Sequence, residues 1–169
     1  VIGGSGDTHF IMGEDTSNYG KLSWDASENS WEFSLVDGGS ARANALVIDQ
    51  TGYIGIGTDS PATSMHITGA DGGGSGTFGG QLTLEDTAAY NATPVTGINF
   101  KTKYNAAGAV VPLAGITGAK ENATDGNYAG YLAFHTREAG YGAAERMRIT
   151  STGKVGIGVT DPDQALEVA

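Results

Sequence analysis

The chain repeats part of itself. Residues 45–68 (ALVIDQTGYIGIGTDSPATSMHIT) match residues 146–169 (RMRITSTGKVGIGVTDPDQALEVA) at an offset of 101, without a gap. Seven of the 24 positions are identical: Ile48/Ile149, Thr51/Thr152, Gly52/Gly153, Gly55/Gly156, Ile56/Ile157, Gly57/Gly158 and Pro61/Pro162. Leu46/Met147, Ile54/Val155, Met65/Leu166 and Ile67/Val168 stay apolar. Matched copies should share one conformation, so every local reading must satisfy two sequences at once.

The repeat divides the chain into a first β module over 1–68, a Gly-rich linker over 69–80 and a second β module over 81–169. Upstream, Tyr19-Gly20-Lys21-Leu22-Ser23-Trp24 parallels Gly130-Tyr131-Leu132-Ala133-Phe134, with Leu22 against Leu132 and Trp24 against Phe134. That alignment predicts a hairpin nine residues longer in the first copy, around 25–30.

Alternation at period two dominates, and it predicts an all-β chain of about a dozen short strands. Trp31-Glu32-Phe33-Ser34-Leu35 alternates apolar and polar, and Ile98/Phe100 and Leu132/Phe134 share faces. Turn chemistry separates the runs at Asp37-Gly38-Gly39, Thr51-Gly52, Asp71-Gly72-Gly73-Gly74 and Asp125-Gly126-Asn127. Residues 40–50 are Ala-rich enough for a helix, but their repeat partner alternates as a strand does. Strand is therefore expected over 46–49, with 40–44 open to one helical turn.

Glycine is the compositional outlier, 28 of 169 residues, about 17% against a usual ~7%. Gly52 fits a turn with positive φ. Gly55 and Gly57 fall on one face of a strand whose other face carries Ile54 and Ile56. A strand gives up packing at each glycine, so another backbone is expected close to that face. Pro61 and Pro162 should end the ladder. The modules hold few apolar residues for ordinary cores, which favours several copies sharing one core around an axis.

The formal net charge is −10, with nine acidic and two basic residues in 1–68 and ten and seven in 69–169. An acidic surface repels nucleic acid and anionic membrane, so neither is expected as a partner. No apolar run approaches the ~20 residues of a membrane-spanning helix. Zero Cys removes disulfides, thiol nucleophiles and cysteine–zinc sites. The start at Val1-Ile2-Gly3-Gly4, without Met, reads as a fragment or processed product.

Residue patterns for catalysis are weak. Ser5 and Ser75 sit among glycines, but Asp7 and Thr77 occupy the last position of what would be a nucleophile elbow. Gly55-Ile56-Gly57 lacks the Lys-Ser/Thr of a phosphate loop. His9, His66 and His135 are single and far apart, so each reads as exposed or hydrogen-bonded, with an axial metal on a threefold as the alternative. Residues 25–29 have oxygen groups at alternate places but lack the other marks of a Ca²⁺ loop, so they read as an acidic turn. Glu14-Asp15 and Glu85-Asp86 are strand neighbours that should face opposite ways, which does not suit a glycan-cleaving pair. No catalytic, cofactor or metal residue is assigned. Tyr90, Tyr104 and Tyr141, in Gly/Ala/Asn-rich loops, are the candidate receptor contacts, whereas Trp31 and Tyr131 lie in alternating strand runs.

The segment Arg148-Ile149-Thr150-Ser151-Thr152-Gly153-Lys154-Val155-Gly156-Ile157-Gly158, followed by Pro162 and Leu166-Glu167-Val168, resembles the repeated shaft motif of bacteriophage tail fibres and related tail adhesins. Residues 52–68 resemble it equally well. Gly97-Ile98-Asn99-Phe100, Ala114-Gly115-Ile116, Leu132-Ala133-Phe134-His135-Thr136 and Glu145-Arg146-Met147-Arg148-Ile149 occur in similar order in such fibres. The resemblance covers most of 45–68 and 97–169 and is weak over 1–44.

It implies an elongated, intertwined, homotrimeric β-structure in an extracellular virion tail fibre, structural rather than enzymatic, acting in host attachment without a cofactor. Other tail or fibre proteins and a host cell-surface glycan are the implied partners. In that family the motif often precedes a self-cleaving intramolecular chaperone. The alternatives are a carbohydrate-binding or depolymerising tail spike and a subunit of an extracellular filament.

Overall fold

A computed structural model describes residues 8–13, 15, 18–37, 40–69 and 81–169. Ser5, Ser75, Glu14, the glycines of the Asp37-Gly38-Gly39 turn and the linker glycines at 71–80 lie outside the described residues. The fold is all-β, with twelve strands and no helix among the described residues. The chain divides into two compact units, Val1–Thr83 and Leu84–Ala169, each built on one six-stranded sheet.

In the first unit the strands are β1 (Thr8–Gly13), β2 (Tyr19–Asp25), β3 (Ser30–Asp37), β4 (Ser40–Ile48), β5 (Ile54–Ile56) and β6 (Met65–Ile67). The second unit repeats the plan with β7 (Val95–Lys103), β8 (Val110–Lys120), β9 (Gly130–Arg137), β10 (Ala143–Ile149), β11 (Val155–Ile157) and β12 (Leu166–Val168). Each strand pairs with its predecessor in sequence. The first five of each sheet are antiparallel, and the last pair, β5–β6 or β11–β12, is parallel. Residues 57–64 and 158–165 are therefore crossovers that return the chain to the same end of the sheet.

The 101-residue offset continues upstream of the sequence match, but into a different strand from the one expected. Trp31 pairs with Ile48 and Phe33 with Leu46; Leu132 pairs with Ile149 and Phe134 with Met147. Leu132 and Phe134 thus correspond to Trp31 and Phe33 on β3, not to Leu22 and Trp24 on β2. The extra length also falls in the other copy. Residues 26–29 form a tight turn, whereas 121–129 separate β8 from β9. An apolar-x-apolar run fits any strand of the right phase, which is why the alternation pattern alone chose the wrong partner.

Residues 40–44 form no helical turn. The ladder of β4 starts at Ser40, which opposes Asp37, with Ala41 opposite Val36. A one-turn helix carries its nucleation cost for almost no hydrogen bonds, whereas the adjacent strand offers a ready template.

The register sorts each sheet into two unlike faces. On one face of the first sheet Met65, Ile54, Ile48, Trp31 and Trp24 form a row across the strands. Ile67 and Ile56, then Leu46, Phe33, Leu22 and Phe10, lie beside it. In the second sheet the corresponding rows are Leu166–Val155–Ile149–Leu132–Gly118 and Val168–Ile157–Met147–Phe134–Ile116–Ile98. No charged residue stands in any of these rows. Lys21, Glu32, Glu145, Arg148 and Glu167 fall on the opposite faces by the same registers.

Candidate functional site

The repeat block builds a turn, a three-residue strand and a crossover. Asp49 Oδ1 accepts hydrogen bonds from the Thr51 and Tyr53 backbone N–H groups and from Thr51 Oγ1, at 2.8, 2.9 and 2.6 Å. These bonds hold its carboxyl below the usual range, the Thr51 hydroxyl first among them. In the second copy Thr150 Oγ1 accepts from the Lys154 N–H at 3.1 Å. Gly52 and Gly153 close the two turns with φ of 82° and 80°, a region that side chains rarely adopt.

The next glycine is required for a different reason. A Cβ at residue 55 would lie 2.3 Å from the Thr58 carbonyl oxygen, and one at 156 would lie 2.2 Å from that of Val159. The backbone expected near this face is there, but it belongs to the chain's own crossover. The prolines that follow are buried parts of that crossover, and a Cβ at 156 would also meet Pro162 Cγ at 3.5 Å. Each crossover thus lies over the polar face of its own sheet.

Among the described residues nothing comparable covers the apolar face within its unit. Among the described residues the buried hydrophobic side chains are Val47 and Ala133, and both stand on the crossover side. On the apolar rows Phe10 is 60% exposed, Trp31 47%, Phe33 42%, Ile157 42% and Leu166 61%. Trp24 and Trp31 meet edge to face with centroids 5.5 Å apart. One sheet has one layer, and a stable domain buries an apolar face against a second. These rows therefore form the candidate functional surface of each unit.

The crossover face is polar and tied together. Arg148 Nε and Nη2 donate to the two Glu145 carboxylate oxygens at 2.8 Å each, and the guanidinium lies 3.8 Å from the Tyr131 ring centroid. The Glu145 hydrogen bonds push the Arg148 pKa up. His135 Nε2 hydrogen-bonds Thr117 Oγ1 at 2.8 Å. In the first unit the Glu32 carboxyl is pushed up by burial, then by Asp25 and Glu28. Ser23 and Ser30 hydroxyls are buried there without hydrogen-bond partners.

Tyr90, Tyr104 and Tyr141 are exposed outside the strands, as their loop sequences predicted. Tyr90 lies 5.8 Å from Lys120 Nζ. Tyr128, 96% exposed in the β8–β9 loop, is more accessible than any of them. Residues 25–29 are an acidic turn, in which Asp25 Oδ1 accepts from the Ser27 N–H and hydroxyl and from the Glu28 N–H. The Asp86 carboxylate accepts from the Ala88 and Val95 N–H groups, which hold its pKa down. His66 Nδ1 accepts from the Ala62 N–H at 3.3 Å. Among the described residues no three His, Asp or Glu side chains are placed to share a metal ion, and no helix is long and apolar enough to cross a membrane. No protein-family model and no curated protein matches the chain.

Proposed function

We propose that this chain is a shaft segment of a bacteriophage tail fibre, a structural homotrimer that holds a host-reading part of the fibre away from the virion. The observation that carries the reading is the uncovered apolar face on each sheet. Copies of the same chain are the occupant the pattern fits. Both units carry the same uncharged rows, so parallel copies bring like rows together. Chains of net charge −10 can meet there without placing like charges in contact. The crossovers, with Lys21, Glu32, Glu145, Arg148 and Glu167, then remain outside. The choice of three copies and the virion setting rest on the resemblance of 52–68 and 148–168 to tail-fibre shafts.

Light scattering on the purified chain at micromolar concentration tests this. A mass three times the 17.2 kDa of one chain is expected. A monomeric mass would remove the assembly, and growth without limit would replace the discrete fibre by a filament.

A further inference from the structure

On its crossover face the second unit carries a cation of its own. The Arg148 guanidinium stacks on Tyr131 and is held by Glu145. At the corresponding places the first unit has Val47 and Ser30, so the charge and the ring are both gone, and Glu32 stands in place of Ala133. We propose that the first unit binds a hard divalent cation there, Ca²⁺ or Mg²⁺, through the carboxylates of Asp25 and Glu32 and the hydroxyls of Ser23 and Ser30.

The register brings these four residues together. Ser23 opposes Glu32, and Asp25 opposes Ser30, as two neighbouring cross-strand pairs on one face of the β2–β3 hairpin. Side chains paired in this way start from Cβ atoms about 4.5–5.5 Å apart. Ca²⁺ sits roughly 2.3–2.6 Å from its oxygens, so one ion can bridge side chains at that spacing. In the second unit the equivalent pairs are Thr117 with Ala133 and Ala119 with Tyr131, which hold no carboxylate.

The hydroxyls mark the place. Ser23 and Ser30 are 2% and 1% exposed, and neither hydroxyl has a hydrogen-bond partner. Buried polar groups without partners are costly, and native proteins keep few of them. Among the described residues no hydrogen bond or ion pair engages the Glu32 carboxylate either. Burial, then Asp25 and Glu28, push its pKa up; Lys21 offsets part of this, and Asp59 on the crossover adds to it. Asp25 takes its three turn hydrogen bonds on Oδ1, which leaves Oδ2 for the ion.

The donors are all oxygen, which selects hard cations over softer metals. Two carboxylates balance a divalent charge, so no third acidic or His side chain is needed, and none joins them among the described residues. The hydroxyls and water complete the shell. Residues 25–29 remain an acidic turn: the ligands run across the hairpin and not along the loop, so the spacing within the turn does not reveal them. The site lies within one unit and on the crossover side, so binding needs no second chain.

The test is calorimetric titration of the full chain, stripped with EDTA and dialysed into excess NaCl, with CaCl₂ and separately with MgCl₂. One saturable site per chain is expected with at least one of the two, at a dissociation constant on the order of 0.1 mM. Amide NMR shifts should centre on 23–32. Glu32→Gln should weaken binding about tenfold or more, and Ser23→Ala about threefold. In EDTA Ser23→Ala should nevertheless melt above the parent, because it removes a buried hydroxyl that has no partner. A serine that serves packing alone would leave the affinity unchanged. Saturating cation should raise the melting temperature of the parent more than that of Glu32→Gln. Asp125→Asn, in the exposed β8–β9 loop, should bind as the parent does. Absence of saturable heat with both ions, shifts centred outside 23–32, or unchanged affinity in either Glu32→Gln or Ser23→Ala would overturn the proposal. The light-scattering mass, read on the same samples, reports separately on the trimer.

Discussion

Glu145 and Arg148 are three residues apart on β10, yet they share one face of the sheet and bond through both carboxylate oxygens. An odd spacing ordinarily sends side chains to opposite faces. The register shift between Glu145 and Met147 changes the phase: Met147 opposes Phe134, Glu145 opposes His135, and Arg146 is the extra residue of a bulge. The bulge thus separates the apolar rows from an ion pair that starts on the same strand. The side chains of this pair are only 19% and 15% exposed.

Glu145→Gln keeps the shape and removes the charge, leaving a largely buried guanidinium without its partner. It should cost about 1–3 kcal/mol in urea unfolding. Arg146→Ala, at a side chain about half exposed, should cost less than about 0.5 kcal/mol. Equal losses would mean that the Glu145–Arg148 pair adds nothing specific.

Glu32→Gln should stabilise the chain at neutral pH. The Glu32 carboxyl is pushed up by burial and by neighbouring carboxylates, so the folded state holds its proton more tightly than the unfolded state does. Stability linked to that proton is present below the ordinary value of 4.5 and is lost as pH rises through the folded value. Melting curves of parent and variant should differ most above that range and converge below it. Asp49 shifts the opposite way, so Asp49→Ala should lower the melting temperature at pH 7, with the difference shrinking as acid removes the parent's charge.

Gly156→Ala should cost roughly 2 kcal/mol or more, because the new Cβ meets a backbone oxygen that belongs to a closed crossover. Gly142→Ala, where a Cβ meets nothing within 4 Å, should stay within about 0.5 kcal/mol. Thermal melts of the two variants would decide whether the crossover contact is what glycine serves.

Phe33→Glu and Ile157→Glu place a charge in the middle of the apolar rows. Both residues are over two-fifths exposed within their own unit, so the strands should form with little change in circular dichroism. If copies meet through these rows as proposed, the mass should fall to that of one chain, since like charges would meet across copies. Tyr128→Ser, at a far more exposed ring on a loop, should leave the mass unchanged. An assembly that tolerates both glutamates would place its interface elsewhere.

Much of this architecture was legible in the sequence. The repeat fixes Gly52 and Gly153 as turn residues, because both copies keep the one residue that accepts positive φ freely. Period-two alternation identifies the strand character of 31–35 and the apolar side of Ile54 and Ile56. Only the tertiary structure decided which strands correspond: Leu132 and Phe134 match Trp31 and Phe33, because register depends on hydrogen-bond partners that an alternating pattern leaves open. It also decided what stands over Gly55, the chain's own Thr58 carbonyl, since sequence shows that space is needed but not what fills it. The phase change at Arg146 is of the same kind. A bulge forms in the pairing of two strands, and the residue that carries it looks like any other in the sequence.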